Sequence, residues 1–160
     1  MDRRVMAAVA FFSIACAAIF CIRCASTGPV TPSRIKKELS SIQRSIGRDR
    51  RAIEGLGRLR MGRSGFYYVV DGEGRVVFHP QSALIGSSFK NHWFINCIIS
   101  EGTGCISFRL GNRTHLVFFE RINDFEVLCF SILADEMARL PGECRTVDPE
   151  PDVIEEGDME

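Results

Sequence analysis

The side chains best suited to chemistry in this 160-residue chain are three histidines, His79, His92 and His115, and seven cysteines. Neither set is spaced to build a reactive centre. No two histidines have metal-ligand spacing, and His115 alternates in step with apolar neighbours. Cys97, Cys105, Cys129 and Cys144 form no CxxC, which argues against a zinc site, and Cys16, Cys21 and Cys24 lie in an apolar leader. Within strand-like runs, Cys105 and Cys129 are expected as buried free thiols. One disulfide stays open in an oxidising compartment, with its pairing unassigned. No serine sits in a nucleophile elbow. Gly72-Glu73-Gly74 does not continue into a helix, as a phosphate loop must. Enzymatic, metal and cofactor chemistry are therefore not expected.

The remaining polar and aromatic residues suit binding. Arg109 and Glu120 could meet a carboxylate and an amine respectively. Trp93 and Phe118 could give a pocket its apolar walls, while Tyr68, His79 and Asn96 add hydrogen-bonding groups. Plainer roles stand beside these. Arg109 and Glu120 could be a cross-strand surface pair, His79 a strand cap before Pro80, and Trp93 part of the core.

The elements that would position these residues follow from periodicity. Thr31-Pro32 is a helix start. Ile35, Leu39, Ile42, Ile46, Ile53, Leu56 and Leu59 then recur at helical spacing, with one beat missed at Asp49. A long helix over 33–60 is predicted, bending toward its glycine-rich end. After Gly65 the period becomes two. The runs at 65–71 and 75–80 flank Gly72-Glu73-Gly74 as a β-hairpin. Counting places Phe66, Tyr68, Val70, Val77 and His79 on one side of it. Residues 91–101 read as a short buried helix ending at Gly102, with His92, Asn96 and Ser100 as a polar stripe. Three further strands (105–110, 114–122, 126–133) form an antiparallel meander. Closing its turns with Leu110 opposite Arg113 and Ile122 opposite Phe125 sorts the side chains into two faces. Ile106, Phe108, Leu110, His115, Val117, Phe119, Leu128, Phe130 and Ile132 form an apolar face, expected to be buried on the long helix. Cys105, Ser107, Arg109, Thr114, Leu116, Phe118, Glu120, Val127, Cys129 and Ser131 form a mixed face, expected to line the pocket. A short closing helix is predicted at 134–140.

Charge divides the chain. Residues 5–22 carry none; residues 23–63 hold eleven Lys/Arg against three Asp/Glu; residues 143–160 hold eight acids and one Arg. The leader, 1–26, fits a spanning helix, a cleavable signal peptide or a lipoprotein start at Cys16, and a plain core helix is the alternative. Export and membrane attachment are expected. Residues 141–160 read as an acidic disordered tail. The basic helix lacks interleaved aromatics, which argues against nucleic acid.

In order and in local phrasing the segment 30–140 resembles a Cache domain, an extracytoplasmic sensor of PAS-like fold. Gly65-Phe66-Tyr67-Tyr68-Val69-Val70-Asp71 followed by Gly74-Arg75-Val76-Val77-Phe78-His79-Pro80 is similar to the family's first hairpin. Leu84-Ile85-Gly86 and Glu101-Gly102-Thr103-Gly104 are similar to its later turns. The resemblance implies an α+β fold of single-Cache type: a long N-terminal helix packed on an antiparallel sheet of about five strands, with a short helical insert. It also implies a small-molecule ligand held between sheet and insert, so the expected ligand-binding set is Tyr68, His79, Trp93, Asn96, Arg109, Phe118 and Glu120. The Arg/Trp/Tyr/Asp pattern of the amino-acid-binding branch is not found, which leaves amino acid, carboxylate and amine all open. The 160 residues hold neither a second apolar segment nor an output domain, so a partner signalling or transport protein is expected, as is a homodimer through helix 33–60. The rival expectation is a structural or interaction protein of the cell envelope that keeps the fold without a ligand.

Overall fold

The structure, a computed structural model, describes residues 29–147. The leader at 1–26 and the acidic run from 148 onward lie outside those residues. Among the described residues no helix is long and apolar enough to cross a membrane.

Thr31 starts the first element as its side chain dictates. Its hydroxyl accepts from the Arg34 N–H at 3.4 Å, and Pro32 occupies the first turn. Helix α1 (Pro32–Arg48) buries Ile35, Leu39, Ile42 and Ile46. The single helix expected over 33–60 stops at Asp49, the beat that the apolar period misses. Asp49 is extended, with φ −141° and ψ 111°, and its carboxylate accepts from the Arg51 N–H at 3.0 Å. That cap opens a 3-10 helix, Arg50–Arg58, which returns Ile53 and Leu56 to the core. The apolar face survives the break; the straight rod does not.

There follow β1 (Phe66–Asp71), β2 (Val76–Phe78), α2 (Trp93–Glu101), β3 (Thr103–Leu110), β4 (Arg113–Asn123), β5 (Glu126–Leu133) and β6 (Arg145–Thr146). They form one sheet in the order β2-β1-β5-β4-β3-β6, antiparallel except for the β3–β6 pair. This is the expected α+β architecture with a sixth strand added at the edge. The closing helix expected at 134–140 is one 3-10 turn, Ala134–Glu136, after which Met137 bridges Val30. The chain then crosses on the α1 side to the far edge of the sheet. There Cys144 is disulfide-bonded to Cys105, with Cα atoms 4.5 Å apart. Cys105 is thus not the free thiol its strand position suggested, whereas Cys129 is free and buried.

The faces of the meander differ from the expected ones for one identifiable reason. Leu110 does oppose Arg113. At the second turn the loop is Asp124-Phe125, one residue later than expected, with Asn123 opposite Glu126. A later two-residue loop alone would preserve the alternation. A bulge at Ile122 takes up one more residue, so that Arg121 faces Val127 and Glu120 faces Leu128. An odd residue reverses every side chain beyond it. Leu116, Phe118, Leu128, Phe130 and Ile132 therefore share the face packed under α1, together with Tyr67 and Val69. Ile106, Phe108, Val117, Phe119, Val127 and Cys129 share the opposite face with Tyr68, Val70 and the α2 residues Ile95 and Ile98. Both faces are greasy, and each is covered by a helix. The β3–β4 part of the mixed face expected to line a pocket (Cys105, Leu116, Phe118) is instead buried on α1, while its β5 part (Val127, Cys129, Ser131) does face the other side.

Candidate functional site

The cover on the second face is incomplete. A cleft of about 190 Å³ opens between the sheet and the α2 layer. β1 contributes Phe66 and Tyr68; β3 gives Phe108 and Leu110; β4 gives His115 and Val117; β5 gives Ser131. Phe89, Phe94 and Ile95 form the roof, and His79 closes one side.

The roof is held by backbone bonds beside the first hairpin. The Val76 N–H donates to Ser87 O at 2.9 Å, the Gly86 N–H to Val76 O at 2.8 Å, and the Phe89 N–H to Gly74 O at 2.7 Å. Gly74 has φ +78°, which an L side chain rarely adopts. A Cβ there would also press to 3.0 Å on the Lys90 backbone. The far end of the roof is fixed at Gly102, whose φ of +70° ends α2 in the left-handed conformation. Arg121 reaches across from β4 and donates from Nη2 to the Ile99 carbonyl at 3.1 Å, satisfying a helix-end acceptor.

Within the cleft the aromatic rings are ordered against one another. Phe94 stacks on Phe108 at 4.5 Å, and Phe108 stacks on His115 at 5.5 Å. Phe66 meets His79 edge-on at 5.2 Å. The Gln81 N–H donates to His79 Nδ1 at 3.0 Å, so in the neutral ring the proton sits on Nε2. Burial lowers the pKa of His79, more than offsetting the Gln81 bond, and burial followed by the Arg113 charge lowers that of His115. Burial raises the pKa of the Tyr68 hydroxyl, which lies beside the Cys129 thiol. Both imidazoles are therefore neutral near pH 7, and no residue of the cleft lining carries a formal charge. Cations stand in two adjoining hollows: Arg113 in one that shares Phe66, Leu110, His115 and Ser131 with the cleft, and Arg60 and Arg63 in one that shares Phe66 and His79.

Of the residues expected to bind ligand, Tyr68 and His79 line this cleft. Trp93 stands behind its wall, edge-on to Phe108 at 5.5 Å. Asn96 is exposed on the outer side of α2, and Arg109 is exposed on β3. Phe118 is fully buried in the cluster under α1. Glu120 lies on that side too and accepts from the Ser40 hydroxyl at 2.8 Å. Arg109 stands opposite Thr114 and Glu120 opposite Thr103, so the two form no cross-strand pair either. The bulge at Ile122 does not explain these placements, because β3 and β4 keep their expected alternation. The error lay in seating the apolar face of that pair on α1, when it faces the cleft. Phe89, Phe94, Ile95, Phe108, Leu110, His115 and Val117 were not expected to line the site, whereas Ser131 lay on the face expected to do so and Phe66 on the hairpin side of Tyr68 and His79. A signal for them existed, since a histidine at 115 on an otherwise apolar face has no reason to be there unless that face meets something polar. Among the described residues no cluster of His, Cys, Asp or Glu is arranged to hold a metal.

No family model and no curated protein matches the chain. Solved structures do. A methyl-accepting chemotaxis protein from Vibrio parahaemolyticus is 19% identical with a TM-score of 0.52, over 64% of this chain and 90% of that one. A Cache chemosensory domain described for carboxylic acid recognition is 12% identical with a TM-score of 0.50, over 64% and 90%. The chain spans 34% of the ligand-binding domain of Mlp24, solved with asparagine, at 14% identity and a TM-score of 0.44. The fold is that of the Cache sensor domains.

Proposed function

We propose that this chain is an extracytoplasmic sensing domain that binds a small molecule in the cleft under α2 and passes the signal to a partner protein. The observation that carries this reading is the cleft itself. Four strands, α2 and two loops converge on a space that their side chains leave open, the usual setting of a small-molecule site. The Cys105–Cys144 disulfide supports an oxidising compartment. Attachment to a membrane rests on the apolar leader alone. Pairing of two copies through 33–60 would have to use the basic outer side of α1, because its apolar beats lie against the sheet. The envelope scaffold is the rival, and it is the poorer match to a cleft left unfilled.

The test is thermal unfolding of the purified chain against amino acids, carboxylates, amines, purines and small aromatics. A ligand at a hundred times its dissociation constant adds about 2.7 kcal/mol, a rise of roughly ten degrees for a domain of this size. Arg109→Ala should leave that rise intact, since Arg109 is exposed and absent from the cleft lining. A chain that no compound shifts would favour the scaffold.

A further inference from the structure

The chemistry of the cleft is more specific than its position. Its walls are phenyl rings and aliphatic side chains, and its polar groups are neutral: two imidazoles, one phenol and one hydroxyl. A charged ligand group pressed against such walls would lose its hydration without gaining a counter-ion. The volume, about 190 Å³, is below the range of roughly 300–1,000 Å³ typical of drug-sized ligands. It is close to the engineered apolar cavity of about 150 Å³ that takes up benzene in another protein. One polar atom is aimed by its own bonding. His79 Nδ1 is engaged by the Gln81 N–H, which leaves Nε2–H as a donor on the ring that packs against Phe66 and Tyr68.

Building on the sensing function proposed above, we infer that the cleft takes an uncharged single-ring aromatic molecule bearing one hydrogen-bond acceptor, its ring among Phe66, Phe94 and Phe108 and its acceptor on His79 Nε2. Ring-on-ring contact at these spacings favours a flat ligand over a branched aliphatic one. Two basic hollows adjoin the cleft, one holding Arg113 and one holding Arg60 and Arg63 beside Phe66 and His79, so a carboxylate could be held at either instead.

Calorimetric titration of the full chain with acetophenone, ethylbenzene, benzoate and phenylalanine separates these outcomes. Acetophenone should bind most tightly, ethylbenzene about five- to tenfold more weakly for want of one hydrogen bond, and benzoate and phenylalanine not measurably. His79→Phe should bring acetophenone down to the ethylbenzene level while ethylbenzene itself changes less than twofold. His79→Gln, which keeps a donor, should restore most of the difference. Binding of benzoate or phenylalanine in preference to the neutral probes, lost in Arg113→Ala or in the double variant Arg60→Ala/Arg63→Ala, would overturn this inference and leave the sensing function standing. Failure of all four probes to bind would overturn the inference, and failure of the wider ligand panel as well would remove the sensing function with it.

Discussion

Breaking the Cys105–Cys144 disulfide tests whether the last described residues belong to the folded unit. The bridge joins positions 39 residues apart in sequence. Closing a loop of that length in the unfolded chain removes about 13 cal/mol/K of entropy, or roughly 4 kcal/mol at 25 °C. The full amount is an upper bound. β6 pairs with β3 over only two residues, Arg145 and Thr146, so reduction also frees the native crossing segment and part of the entropy returns to the folded state. A loss of about 2–4 kcal/mol is expected. With an unfolding entropy near 2.1 cal/mol/K per residue, that lowers Tm by roughly 8–15 degrees. The assay is thermal unfolding followed by circular dichroism, with and without reductant, beside Cys144→Ser. The variant should unfold where the reduced wild type does and should no longer respond to reductant. Because Cys105 belongs to the cluster under α1, the cleft on the other face should keep its ligand affinity. Reduced and oxidised proteins melting within two degrees of each other would refute the reasoning and make β6 an appendage.

Two further perturbations probe the end of α2 and the β4–β5 turn. Gly102→Ala places a Cβ against the Arg121 guanidinium at a φ of +70°. It should cost about 1–2 kcal/mol from the backbone alone, read in urea unfolding, and Arg121→Ala should relieve the crowding without relieving the backbone strain. The carboxyl of Glu126, at the start of β5, is held below its ordinary pKa chiefly by its hydrogen bond from Arg50, against the opposing effect of burial, with Asn123 assisting at 3.0 Å. A carboxyl depressed in the folded state contributes stability above its unfolded pKa and loses it as pH falls through the folded value. Stability should therefore decline on the acid side of pH 4.5, and Glu126→Gln should flatten that decline while lowering stability at neutral pH.

The elements were legible where local chemistry dictates them. Thr31-Pro32 opens α1, Gly102 closes α2, and Asp71 binds the first turn by accepting from the Glu73 and Arg75 N–H groups at 2.9 and 2.8 Å. These are interactions within a few residues, and the residue types announce them. The break at Asp49 was half legible, since the period skips there but nothing nearby shows a carboxylate capping a 3-10 helix. The faces were not legible, for two reasons. The bulge at Ile122 depends on how the Asn123 turn settles, where the Phe125 N–H donates to Asn123 Oδ1 at 2.8 Å and Asn123 Nδ2 donates to Glu126. The choice of which face meets α1 is a tertiary matter, because both faces of this sheet are apolar enough to be buried. A rule that seats the greasier face on the long helix fails when a second cover exists.

That second cover also accounts for the cleft. α1 and the 3-10 helix behind it lay Ile35, Leu39, Ile42, Ile46, Ile53 and Leu56 along one side of the sheet. The other side receives only α2, nine residues long and so about 14 Å at 1.5 Å per residue. Six strands at about 4.8 Å spacing span roughly 24 Å, which one such helix cannot roof. α2 places Ile95 and Ile98 over the middle of the sheet, and the strip toward Phe66, His79 and His115 is left to the loop carrying Phe89. An apolar strip open to water is costly and a charged one could not close over an apolar guest. Neutral imidazoles satisfy both demands, because they tolerate water when the cleft is empty and need no counter-ion when it is filled. On the proposed function the short insert and the histidines at its margin act together, and lengthening α2 by two turns over that strip should raise stability while removing any ligand-induced rise in Tm.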